Sequence, residues 1–235
     1  MRKIILAILI LIAGAFPAAG QFDINFDAVK KDGDIIAEKS VDLDGDGTPE
    51  KVVLKAYCLE FYEKELMSYA GQLAVLKKLG DSYKIIWEGP KIEKSKLFTE
   101  EKFRFIFGQC GMEPIELIGD IYGDKTIRLF SPRQKSDVSP RFYRVYAWKG
   151  DSFEFEKAGY LFEDADSDGK FKWRDECAEE RSWILYFARL ESPGKVEAHV
   201  HKYGKDQAGS GGKALLEIKK GGLSIIKWLE KMKKD

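Results

Sequence analysis

The chain has 235 residues with 39 basic and 39 acidic side chains, so its formal net charge is zero. That balance argues against nucleic acid as a main partner, since phosphate binding draws on an excess of basic side chains. Hydrophobic residues make up 44%, aromatics 13% and charged residues 33%, which excludes a disordered chain and fits a well-solvated protein with a sizeable core.

Residues 1–20, MRKIILAILILIAGAFPAAG, read as a secretory signal peptide. Arg2 and Lys3 supply the positive start, and Ile4 to Ala13 is an apolar run too short to cross a bilayer comfortably. Ala18 and Gly20 are the small residues expected before a cut at Gln21, with an uncleaved anchor as the alternative. No cysteine follows the cut, so no lipid anchor is expected, and no later segment is apolar enough to span a membrane. Losing Arg2 and Lys3 leaves 37 basic against 39 acidic residues, a net charge of −2. Residues 21–235 are expected to form a single repeat-built β domain, periplasmic or secreted.

The first element is an acidic loop, VDLDGDGTPE, running into the apolar run KVVLKAY. Next, EFYEKELMSYAGQLAVLKKLG places Tyr62, Leu66, Tyr69, Leu73 and Leu76 at helical spacing. The same text from Gln72 onward also reads as the first strand of a hairpin, LAVLKKLGDSYKIIW, and the strand reading is preferred. Two more hairpins follow, YRVYAWKGDSFEFEK and LLEIKKGGLSIIKW. Their turn glycines, Gly80, Gly150 and Gly221, are about seventy residues apart. Alternating runs on either side of a glycine turn are the signature of a β-hairpin. The acidic loop recurs as GDIYGDKTIRLF, where Asp120 and Asp124 match Asp42 and Asp46 and Tyr122 replaces Asp44. Three units are therefore expected, approximately 35–90, 115–160 and 164–230. In the third, WILYFARL and KVEAHVHKYG read as strands, RDECAEERSWILYFARL offers a competing short helix, and residues 204–212 form a flexible loop. The fold class expected is mainly β: repeated antiparallel hairpins, propeller-like or irregular, with one or two short helices.

Two loops carry metal-binding patterns. Calcium takes about six to eight oxygen ligands at about 2.3–2.6 Å. In D-x-D-x-D-G-x-x-E, alternating acids aim at one centre when the chain curls. Asp42, Asp44 and Asp46 would do so here, Gly47 allows the curl, the Thr48 carbonyl adds a ligand, and Glu50 closes the shell. A solvated acidic turn is the competing reading. DADSDGKFKWRD is closer to an EF-hand loop. Asp164, Asp166 and Asp168 hold positions one, three and five, and Gly169 is the glycine at six. Lys170 would give its carbonyl, Phe171 would pin the loop to the core, and Asp175 stands at twelve with Glu176 next to it. No amphipathic helix enters this loop, since YLFED reads as a strand, so it is not a paired sensor-type EF-hand.

The loop VDLDGDGTPEKVVLKAY and the hairpins ending GDSYKIIW and GDSFEF resemble FG-GAP or VCBS-type repeats of exported bacterial proteins, related to integrin-type β-propellers. The resemblance covers roughly residues 35 to 165. It implies a calcium-stabilised β architecture in which the acidic loop joins two strands of a blade. Asp42, Asp44, Asp46 and Glu50 fall on the ligand positions of that family. Tyr122 and Lys125 depart from it in the second loop. The resemblance implies no particular activity.

Other motifs are weaker. Cys58 sits in an apolar run and is expected to pack as a small hydrophobe, leaving Cys110–Cys177 as the expected disulfide. The two GDS sequences fall in hairpin turns, and no Asp stands three residues before His199 or His201. GSGGKA lacks the first glycine and the Ser/Thr of a phosphate loop. His199 and His201 share one face of a strand, and two ligands make a poor transition-metal site. The function expected is an exported, non-enzymatic calcium-binding protein whose ions are structural, with another protein or a surface polysaccharide as possible partner. A secreted hydrolase and a carbohydrate-binding module are the alternatives, the latter resting on the five tryptophans.

Overall fold

The computed structural model describes residues 22–91, 106–109, 115–133, 142–163, 169–176, 183–202 and 211–231. The fold is mainly β. Six strands form one sheet: β1 (Asp23–Ile24), β2 (Ile35–Val41), β3 (Glu50–Tyr62), β4 (Glu65–Leu79), β5 (Ser82–Glu88) and β6 (Ile106–Gln109). Their order is β1-β2-β3-β4-β5, and β6 pairs with the first half of β4, beyond the reach of β5. Nine strands form the second sheet: β7 (Leu117–Gly119), β8 (Arg128–Arg133), β9 (Phe142–Trp148), β10 (Phe153–Glu163), β11 (Lys170–Arg174), β12 (Trp183–Ser192), β13 (Lys195–Lys202), β14 (Gly211–Lys219) and β15 (Gly222–Lys231). Their order is β12-β13-β14-β15-β11-β10-β9-β8-β7, and every pairing in both sheets is antiparallel.

All three glycine-turn hairpins are present, as β4–β5, β9–β10 and β14–β15. Their side-chain patterns report how each strand is covered. In β14 every second residue is buried, Gly212, Ala214, Leu216 and Ile218, so one face meets a core and the other meets water. In β9 the run FYRVYAW is buried on both faces from Tyr143 onward, Arg144 included, as in a doubly covered strand. Tyr143 and Val145 face one core, inside the second sheet, while Tyr146 and Trp148 face another. That other core is shared with Val52, Leu54, Leu73 and Val75 of the first sheet, so the two sheets pack against each other across β7–β10. Trp87 and Phe153 add ring contacts, with centroids 5.7 Å apart.

The second sheet curls until its two end strands meet, which makes it nearly a barrel. Closure centres on Glu116, which is fully buried just before β7. Its Oε2 accepts the backbone N–H of Phe187 on β12 at 3.3 Å. The Tyr143 hydroxyl sits between Glu116 Oε2 (2.7 Å) and the Leu185 carbonyl (2.9 Å). Gly194, in the β12–β13 turn, donates its N–H to the Asp120 carbonyl at 3.3 Å.

The short helices expected from the sequence are not found among the described residues, where a 3-10 turn at Phe26–Ala28 is the one helical element. The helical spacing from Tyr62 to Leu76 is overridden by pairing: β4 is a continuous strand hydrogen-bonded to β3 on one side and to β5 and β6 on the other. It begins earlier than Gln72 because Glu63 and Lys64 form a two-residue turn, with φ of 47° and 77°. That is the geometry of a type I′ hairpin turn built without the usual Asn-Gly or Asp-Gly. Residues 183–192 are strand β12, not helix; Trp183 to Leu190 pair with β13. Cys58, partly buried as expected, packs beside Ala70 where the β3–β4 register shifts. Cys110, Cys177 and the signal segment lie outside the described residues.

The closure gives a first prediction. Tyr143→Phe removes the hydroxyl from a buried acceptor pair and is expected to lower stability by about 1–3 kcal/mol. Urea unfolding should show a lower midpoint at an unchanged slope; an unchanged midpoint would remove Tyr143 from the closure.

Candidate metal centre

The Asp42–Glu50 loop connects β2 to β3, and Val41 pairs with Glu50 across its base. The loop is curled by its own side chains. Asp42 accepts the N–H of Gly45 through Oδ1 (2.8 Å) and of Gly47 through Oδ2 (3.0 Å). Asp44 accepts the N–H of Asp46 (3.1 Å), and Asp46 that of Thr48 (2.7 Å). Gly45 and Gly47 adopt φ of 78° and 84°, the left-handed conformation that glycine takes without strain. Glu50 reaches back under the loop and accepts the N–H of buried Leu43 at 3.0 Å.

The outcome is a convergence of carboxylates at the head of the first sheet. Asp42, Asp44 and Glu50 could hold a metal ion: one oxygen from each lies within 4.8 Å of the others. Asp42 is half-buried, Asp44 exposed and Glu50 buried. Asp46 points into the same region without joining that triad. Thr48 contributes its backbone N–H to Asp46.

A cation already sits there. Lys77 Nζ lies 2.6 Å from Asp44 Oδ2, 2.9 Å from Asp46 Oδ2 and 3.1 Å from Glu50 Oε1. The Glu50 contact is an ion pair without the alignment of a hydrogen bond. The three carboxylates, led by Asp44, raise the ammonium's pKa above its ordinary value. Lys77 in turn lowers that of Asp46. Its position follows from the ladder: Lys51 pairs with Leu76, so Glu50 and Lys77 come next to each other across β3 and β4.

The second acidic loop repeats this frame with the charges rearranged. Gly119 pairs with Arg128 as Val41 does with Glu50. Asp120 accepts the N–H of Asp124 and Lys125, both at 3.0 Å, and Asp124 accepts that of Thr126 at 3.0 Å. Lys125 takes φ of 68° where the first loop has Gly47. Tyr122, in place of the middle acid, is buried in the core of the second sheet. Arg128 stands where the first loop has Glu50. Its guanidinium grips Asp124 through two nitrogens (2.6 and 2.9 Å) and donates Nε–H to Glu156 at 2.7 Å. Glu156 is the extra residue of a bulge in β10, which turns it toward the arginine. This loop carries its own fixed cation.

The remaining sites expected from the sequence are partly placed. Asp164, Asp166 and Asp168 lie outside the described residues. Gly169 has φ of 77°, and Phe171 is buried as a core pin. Lys170 opens β11, and Asp175 follows its end. An extended strand rises about 3.3 Å per residue, so β11 carries Asp175 about 16 Å along from Lys170. His199 and His201 share one face of β13 with rings stacked 6.3 Å apart. Among the described residues the Asp42, Asp44 and Glu50 group is the one cluster of three or more such ligands. Sequence reasoning missed Lys77, Arg128 and Glu156: strand register brings Lys77 to the first loop, Arg128 closes the second loop four residues after Asp124, and a bulge in β10 turns Glu156 toward it.

Asp124 carries a pH prediction. Arg128 holds its carboxyl down to about 2, below the ordinary 3.8. A group lowered in the folded state stabilises the fold above its unfolded value and loses that contribution as pH falls through the folded one. The Asp124–Arg128 contribution is therefore complete above about pH 5 and lost toward about pH 2. Asp124→Asn should lie below wild type in urea midpoint at neutral pH, with the gap closing across that window. A gap independent of pH would contradict the pairing.

Comparison with protein-family models, with curated proteins and with solved structures finds no match for this chain.

Proposed function

We propose that this chain is an exported calcium-binding β protein, non-enzymatic, in which the ion is a structural element of the Asp42–Glu50 loop. The observation that carries the reading is the convergence of Asp42, Asp44 and Glu50 oxygens within 4.8 Å on a loop already curled by its own hydrogen bonds. All the donors are hard carboxylate oxygens, and calcium accepts irregular sets of these more readily than magnesium does. The resemblance of the loop to FG-GAP and VCBS-type repeats supports the same assignment. So does the reading of residues 1–20 as a signal peptide, since millimolar calcium outside the cytoplasm fills even weak sites. Asp164, Asp166 and Asp168 are proposed as a second site on their sequence pattern alone; Asp175 is left out of it, because the extended strand β11 carries Asp175 away from Lys170.

A bound ion stabilises the folded state because the unfolded chain does not preform the site. At calcium tenfold above the dissociation constant the gain is about 1.4 kcal/mol, or about 3–6 °C for a domain of this size. The protein, stripped with chelator and heated with and without calcium, should show that rise. Asp44→Ala and Asp166→Ala should each remove part of it. An unchanged melting temperature in calcium would overturn the proposal and leave the loops as solvated turns.

A further inference from the structure

We infer that Lys77 is a built-in counter-ion which a divalent cation must displace, so that the loop exchanges an ammonium for a metal ion instead of filling an open shell. The inference rests on the metal reading of the Asp42–Glu50 loop and adds how that site is regulated. Asp44 and Glu50 belong both to the metal-ligand triad and to the three carboxylates around Lys77 Nζ. A calcium ion at about 2.4 Å from those oxygens would lie within a few ångströms of the ammonium. The two cations repel each other at that separation and compete for the same Asp44 and Glu50 side chains, so binding of one weakens the hold on the other.

A second observation makes a cation obligatory in the loop. The Glu50 side chain is 1% exposed, and its Oε1 faces the cluster with no aligned hydrogen-bond donor, balanced by charge alone. A buried carboxylate left without a counter-charge is strongly destabilising. Lys77 therefore cannot simply leave; it leaves when another cation arrives. The second loop shows the alternative solution on the same frame. There the cation is Arg128, 5% exposed, fixed by a two-nitrogen grip on Asp124 and by Glu156. Lys77 is 26% exposed, comes from a neighbouring strand, and holds each carboxylate through a single nitrogen on a flexible stem. The first loop is the exchangeable form of the arrangement and the second the locked form.

The test is calorimetric titration of the full chain with calcium chloride at constant ionic strength, for wild type, Lys77→Met and Lys77→Arg. The heat belonging to this loop is the part lost in Asp44→Ala. Removing the competing charge should tighten calcium binding about tenfold in Lys77→Met. Lys77→Arg keeps the charge with a firmer grip and should bind more weakly than wild type. If Lys77→Met does not fold without metal, wild type against Lys77→Arg carries the test. Equal affinities in wild type and variants would overturn the exchange while leaving the metal site in place. Absence of Asp44-dependent heat in all of them would overturn the site itself, and the exchange with it.

Discussion

A carboxylate buried at the start of β3 dictates much of what surrounds it. Glu50 fixes the base of the acidic loop through the Leu43 N–H, and it stands in the ladder next to Lys77. A buried negative charge needs a counter-charge nearby, and the exposed aspartates above it deepen the same potential. The loop, the β3–β4 register and the placement of Lys77 are thus coupled. Slipping the strand pairing by one residue would turn Lys77 to the opposite face and leave Glu50 uncompensated.

The second loop shows that the frame, more than the residues on it, is what repeats. Asp120 caps Lys125 as Asp42 caps Gly47, and Asp124 caps Thr126 as Asp46 caps Thr48, while the other Asp120 oxygen takes the Asp124 N–H where Asp42 takes that of Gly45; Gly119 pairs with Arg128 as Val41 does with Glu50. The acid at the closing position has become Arg128, and the position corresponding to Lys77 has become Ala147, which pairs with Arg128. The balancing acid then comes from a bulge in β10, at Glu156. Each loop sets one basic side chain among carboxylates, Lys77 in the first and Arg128 in the second, although the position that supplies it differs. The same region closes the second sheet, because the Asp120 carbonyl receives Gly194 while Glu116 receives Phe187.

Much of this fold is legible in the sequence because its signals are local. Gly80, Gly150 and Gly221 mark their hairpins, and the alternation in β14 predicts its buried face. The acidic loops are legible for the same reason, since Asp, Gly and Thr within a few residues set their own hydrogen bonds. What is not legible depends on pairing at a distance. Tyr62 to Leu76 has helical spacing, yet it becomes strand because β3, β5 and β6 take up its backbone groups. The turn at Glu63 and Lys64 lacks the residues that usually mark one. Lys77 lies 27 positions beyond Glu50 in the chain, and nothing in LAVLKKLG indicates which of its two lysines meets a carboxylate.

The most direct measurement of the central claim is a crystal structure of the protein grown with calcium beside one grown with chelator. With calcium an ion should be bonded to Asp42, Asp44 and Glu50 and Lys77 Nζ should turn out to solvent; with chelator the ammonium should be back among Asp44, Asp46 and Glu50. An ammonium unmoved among the three carboxylates at saturating calcium would contradict the exchange.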